Sequence, residues 1–154
     1  MNWEELAGIH VVDAKYENGD ITMTLQSGVE LVTIKWSPEG DCCSSSWIEH
    51  IEGIENLKGQ TILESRCVDG PRDEADSEHD VLQIYFYKLR TTAGYVDIDM
   101  HNSSNGYYGG YLTFEILSRH DKNGKSLSIN HNVFNIKTDI IRYVSNDVIE
   151  NYKR

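Results

Sequence analysis

The sequence lacks most of the features by which a protein function announces itself. No apolar run approaches the length of a membrane span. The opening Met1-Asn2-Trp3-Glu4-Glu5 has neither the basic start nor the apolar stretch of a secretory signal, so a cytoplasmic protein away from the membrane is expected. Cysteine is scarce and odd in number, three in all, which argues against a secreted disulfide framework. There is no Gly-x-Gly-x-x-Gly, P-loop, Gly-x-Ser-x-Gly or His-Glu-x-x-His string, and neither histidine nor cysteine shows the spacing of a zinc site. These gaps lower the expectation of an enzyme, and no catalytic residue, metal or cofactor is assigned. Basic residues are also few, 14 against 25 acidic, for a net charge of -11. That field repels phosphate backbones, so no direct nucleic-acid partner is expected. An acidic protein can instead meet a basic protein surface, or its charge can simply keep it in solution.

What is present describes a folded chain. At 154 residues and 39% hydrophobic content, it suits one domain that buries about two-thirds of its unfolded surface around one core. Asn2 and Glu5 form a capping box for a short first helix, which Gly8 ends. A strand follows from Ile9 to Tyr16. Asn18-Gly19 marks a tight hairpin, since a type I′ turn needs positive φ at both central residues. Ile21, Met23 and Leu25 alternate with polar residues, the period of a half-buried strand. A third strand from Val29 to Trp36 is stopped by Ser37-Pro38-Glu39-Gly40. Ser46 and Glu49 read as a second capping box ahead of Trp47, Ile48 and Ile51, giving a central helix that continues irregularly toward Leu57. Thr61 to Val68 is strand-like, and Gly70-Pro71 opens an acidic loop reaching Asp80. Val81 to Arg90 is a long strand, turned by Thr92-Ala93-Gly94 into another in which Val96, Ile98 and Met100 share one face. Leu112, Phe114 and Ile116 mark one more strand. In the tail, Ile140, Ile141, Val144 and Val148 stand at helical spacing.

The expected fold is therefore α+β: a mainly antiparallel, hairpin-connected sheet with short N-terminal and central helices and a C-terminal helix. A single domain spans residues 1–154, with 118–154 open to reading as a C-terminal extension.

Two strings, DCCSSSWIEHIEGIENLKGQTILES and SNGYYGGYLTFE, with FYKLRTTAGYVDIDM between them, resemble a family of small bacteriophage and prophage proteins. That family is known mainly as an uncharacterised domain. Its members tend to carry an Asp-Cys-Cys string running into an Ile-Glu-Asp-Ile-like helix, then a strand hairpin and a Ser-Asn-Gly-Tyr-Tyr string. The resemblance covers residues 1 to 117. It lends no activity. It implies a phage setting inside a bacterial host cell, where proteins of this size often bind a defence signalling nucleotide or block a defence protein.

Four groups of residues invite chemistry. Cys42 and Cys43 would point to opposite faces of an extended segment, and a helix starting at Ser46 would lower a nearby thiol's pKa. The structural alternative is a pair of small buried hydrophobes. Asp97, Asp99 and His101 share a strand face and could bind a divalent ion, or simply form the polar outer side of an antiparallel sheet. The acidic run from Asp69 to Asp80 fits no calcium loop and suits a solvated hairpin. The segment Asn102 to Tyr111 has the Tyr, Ser, Gly and Asn content of adaptable recognition loops. Tyr107, Tyr108 and Tyr111 could stack on a base, with Asn102 and Asn105 offering amide groups and Arg90 pairing a phosphate; Arg66 and Arg119 are alternatives for that last task. The same glycines and tyrosines could instead form a kinked strand entry packed on the core.

The expectation that follows is a phage-encoded, non-catalytic binding protein, homo-oligomeric, that counters a host defence by sequestering a nucleotide-derived ligand. The alternatives are an acidic decoy for a basic surface of a host defence protein, and a thiol- or metal-dependent hydrolase using Cys42, Cys43 or the Asp97/Asp99/His101 face.

Overall fold

The fold is all-β, not α+β. A computed structural model describes residues 2–76, 80–106 and 108–129. The strands are β1 (His10–Glu17), β2 (Asp20–Ser27), β3 (Glu30–Gly40), β4 (Ser45–Glu52), β5 (Gln60–Thr61), β6 (Glu64–Asp76), β7 (Asp80–Thr91), β8 (Gly94–Ser104) and β9 (Gly110–His120). Among the described residues the helical elements are two single turns of 3-10 helix, Trp3–Leu6 and Ile54–Leu57. The tail helix expected over 138–152 lies outside the described residues. Five strands form sheet A in the order β5-β1-β2-β3-β9; four form sheet B in the order β4-β8-β7-β6. Each described strand pairing is antiparallel.

The two sheets bury one common core. Val11, Ile21, Met23, Leu25, Val32 and Ile34 come from sheet A; Ile48, Leu89, Val96, Ile98 and Met100 come from sheet B. The first turn closes this sandwich. Trp3 packs edge-on against Trp36 at 5.1 Å and against Tyr87 at 5.3 Å, and its indole N–H donates to the Lys88 carbonyl at 3.3 Å. The expected capping box of Asn2 and Glu5 is present, the Asn2 amide donating to Glu5 Oε2 at 3.1 Å. Burial pushes the Tyr87 phenol and the Cys67 thiol above their ordinary values, which keeps both neutral. Asn18 and Gly19 both take positive φ, 54° and 82°, as the hairpin between β1 and β2 requires.

The central helix is the clearest correction. Ile48 and Ile51 stand three apart, as on a helix face, yet they belong to β4. A register shift between Ile48 and His50 inserts Glu49 as an extra residue, so Ile48 faces inward and Ile51 packs against the same core despite the odd spacing. The bulge imitates helical periodicity. The other extensions have similar causes. Strand β3 runs on through Pro38 because β2 ends opposite Trp36, leaving β9 as its neighbour on one side alone; a missing N–H is tolerated there. The acidic loop from Gly70 is instead the continuation of β6, which absorbs Gly70-Pro71 and a second irregularity as register shifts against β7. The Gln83 amide donates to the Gly70 carbonyl at 3.0 Å across that break.

Sheet A is pinned where β3 meets β9. Arg119 Nη2 donates to both Glu30 oxygens, at 2.9 and 3.0 Å, with the two side chains only 15% and 5% exposed. Removing one partner of so buried a pair leaves the other charge uncompensated. Glu30→Ala should lower unfolding free energy by about 3–5 kcal/mol in urea titration. Lys15→Ala, which breaks the exposed Lys15–Glu17 pair, should change it by less than about 1 kcal/mol.

Candidate functional site

Among the described strands the chain changes sheets four times, from β3 to β4, β4 to β5, β5 to β6 and β8 to β9. The first and last of these crossings lie at one end of the sandwich, so the Asp-Cys-Cys and Asn-Gly-Tyr-Tyr strings become neighbours. Their junction is Asn102. It is 1% exposed, its Oδ1 accepting from Ser46 Oγ at 2.8 Å and its amide donating to the Tyr108 carbonyl at 2.9 Å. A Cβ at Gly40 would collide with Ser44 Oγ, and one at Gly110 with Ser46 Oγ, so both glycines are required for this close approach. Ser44 Oγ and the Asp41 amide both reach the Gly109 carbonyl, at 3.3 and 3.1 Å. Asn102 is thus a brace of the loop, its amide turned inward.

The phenol rings are another matter. Tyr108 and Tyr111 are 39% and 42% exposed and are not wedged into the core. Tyr107 lies outside the described residues. Asn105 is exposed and already engaged by neighbours. Arg72 closes the loop from the side, its Nη2 donating to the Gly106 carbonyl at 2.9 Å.

Arg90 does not join this loop. It stands opposite Tyr95, where β8 begins, while the tyrosine loop follows the far end of β8 at Ser104. Nine residues of extended strand separate the two places by roughly 30 Å. Arg90 lines a different hollow of about 170 Å³, formed on the outer side of sheet B by Glu64, Arg66, Lys88, Arg90, Tyr95 and Asp97. Arg90 Nε donates to Glu64 at 2.9 Å and Lys88 Nζ to Asp97 at 2.9 Å. Among the described residues Arg66 makes no hydrogen bond or ion pair. Tyr95 is 64% exposed beside these groups. The third arginine, Arg119, is taken up by Glu30.

Sequence reasoning passed over Tyr95 and Lys88 as partners of Arg90. The signal was present: a two-residue turn between Thr91 and Gly94 fixes Arg90 opposite Tyr95 and Lys88 opposite Asp97. The Asp97/Asp99/His101 face is real, but Asp97 is held by Lys88, and His101 packs against Trp47 at 5.7 Å. Among the described residues no three His, Cys, Asp or Glu side chains converge as metal ligands. Cys42 and Cys43 sit in a turn between strands, so no helix N-terminus acts on them. Both are exposed, and the bond between the two thiols pushes Cys43 up rather than down.

Fold and surface together define an antiparallel β-sandwich with a small charged hollow on one sheet and a tyrosine-bearing loop at one end. The chain belongs to the family described as "Domain of unknown function (DUF7448)", matched over residues 4–114. It is also similar to "Uncharacterized protein L278" of Acanthamoeba polyphaga mimivirus, 34% identical over 82 residues, which are 49% of this chain and 63% of that protein. The chain therefore spans somewhat under two-thirds of that relative's length. No solved structure matches. Among the described residues no helix is long and apolar enough to cross a membrane.

Two outcomes separate bracing residues from surface ones. Asn102→Ala should cost about 1–3 kcal/mol in denaturant unfolding, because Ser46 and the Tyr108 carbonyl lose their partner. Tyr108→Phe and Tyr111→Phe should stay within about 0.5 kcal/mol of the parent. The Arg90 guanidinium, through its hydrogen bond first, holds the Glu64 carboxyl below its ordinary value. A depressed carboxyl favours the fold above its unfolded pKa and loses that contribution as pH falls through the folded one. In an NMR titration Glu64 should titrate below the ordinary glutamate value and move up toward it in Arg90→Ala.

Proposed function

We propose that this protein is a non-catalytic binding module that takes up a small anionic, nucleotide-like ligand in the hollow on sheet B. The observation that carries the reading is the gathering of Arg66, Lys88 and Arg90 beside the exposed ring of Tyr95. An arginine with no internal hydrogen bond is ready for a phosphate oxygen, and charge-assisted bonds to guanidinium are among the stronger polar contacts. Tyr95 offers a flat face on which a base can stack. Glu64 and Asp97 hold the neighbouring cations in place in the empty hollow and compete with an incoming anion for them. The two carboxylates that line the hollow are each paired with a cation, Glu64 with Arg90 and Asp97 with Lys88, which suits a protein that holds its ligand unchanged.

The mimivirus relative supports a viral setting, and within it we favour a phage because of the resemblance to small phage proteins. In that setting, sequestering a host defence signal is the role we assign, and a homo-oligomer is the form in which a shallow hollow would be closed. The decoy reading is less favoured by the geometry: on β6, Arg66 and Arg72 are interspersed with Asp69, Asp73 and Glu74, and Arg72 pairs with Glu74 at 2.6 Å.

The test is calorimetry and thermal shift with cyclic nucleotides and ADP-ribose derivatives. A ligand should raise the melting temperature and be recovered intact after denaturation. Arg66→Ala and Tyr95→Ala should each weaken binding about tenfold, whereas Glu64→Gln should tighten it by freeing Arg90. No shift with any nucleotide, or a shift unchanged in all three variants, would remove this reading.

A further inference from the structure

The Asp-Cys-Cys string has no part in the hollow on sheet B. It forms a four-residue turn, the Ser44 amide donating to the Asp41 carbonyl at 3.0 Å. Cys43 takes a φ of 67°, the left-handed region that this third turn position calls for in type II turns and that cysteine rarely adopts. The consequence is a change in side-chain direction. In an extended segment adjacent side chains diverge; here the turn brings the two sulfurs to the same side, 3.4 Å apart and both open to solvent. The turn is not loose, since Asp41 and Ser44 on either side are both bonded to the Gly109 carbonyl.

We propose that Cys42 and Cys43 form a bidentate thiolate site for a thiophilic ion that accepts an acute angle between two sulfurs, trivalent arsenic being the type. Soft thiolates select soft ions, and two of them on one turn chelate. The separation decides the coordination. An ion about 2.3 Å from each sulfur would see the pair at an angle of about 95°, whereas a linear two-coordinate ion would need the sulfurs roughly 4.6 Å apart. Pyramidal and tetrahedral ions therefore fit, with their remaining positions facing solvent. Loading the site releases the two thiol protons, since the thiolate is the ligand.

The probe is phenylarsine oxide. Two sulfur–arsenic bonds form, the two thiol protons leave with the oxide oxygen as one water, and arsenic keeps its oxidation state. Intact-mass measurement on the full chain should show one adduct that survives excess monothiol and is stripped by a small dithiol. Cys42→Ser and Cys43→Ser should each lose the adduct in the monothiol wash, while Cys67→Ser should keep it. The folded protein should hold the arsenical about tenfold more tightly than the same chain in denaturant, because the turn has already aligned the sulfurs. An adduct lost from the parent protein under monothiol, or retained in either single variant, would overturn the site. Equal affinity in the folded and denatured chain would overturn the claim that the turn builds it.

Discussion

One buried amide carries the geometry of the sandwich end from which the loop projects. Asn102 touches the strand that enters sheet B, through Ser46, and the loop that leaves it, through the Tyr108 carbonyl. The opposite end repeats the device. The Asn56 amide donates to the Tyr95 carbonyl at 2.9 Å, while Thr91 Oγ1 donates to the Asn56 carbonyl at 2.7 Å. There too the asparagine is crowded by two glycines, Gly53 and Gly94. A sandwich whose chain changes sheets must pass its backbone through tight corners that no regular ladder satisfies. A primary amide, with donors and an acceptor on one short stem, bonds both sides of such a corner.

This division of labour explains why the binding residues lie elsewhere. Strand alternation sends Asn102 inward with Met100 and Ile98, so it is committed to the fold. The outward set on the same strands, Lys88, Arg90, Tyr95 and Asp97, is left to meet solvent. The hollow is a property of two paired strands and their neighbour β6.

Much of this was legible in the sequence where a local rule sufficed. Asn18-Gly19, the Thr91–Gly94 turn and the inward set Val96, Ile98 and Met100 followed from turn chemistry and period-two alternation. The helix over Ser46–Leu57 did not, because the bulge at Glu49 gives Ile48 and Ile51 a helical interval, and because Ser46 and Glu49 have other partners, Asn102 and Trp47. The reach of β3 past Pro38 and of β6 past Gly70 depended on which strand lay alongside, a fact no local window contains. For the site, the sequence left open whether the tyrosines pack inward, and the distance of Tyr108 and Tyr111 from Arg90 was hidden until the hairpin pairing was applied across the whole length of β8.

The pairing of β3 with β9 also sets an order of events during synthesis. Gly40 bonds to a strand beginning at Gly110, so the first three strands exist for seventy residues of elongation with one flank of β3 bare. At ribosomal speeds that is an interval of roughly 4–14 s. During it the nascent meander exposes Leu31, Val32, Ile34 and Trp36 along an unpaired border, the kind of border that invites association between chains. Completion waits on the late arrival of Arg119 at Glu30, which makes the finished sheet a product of the chain's last described strand rather than its first.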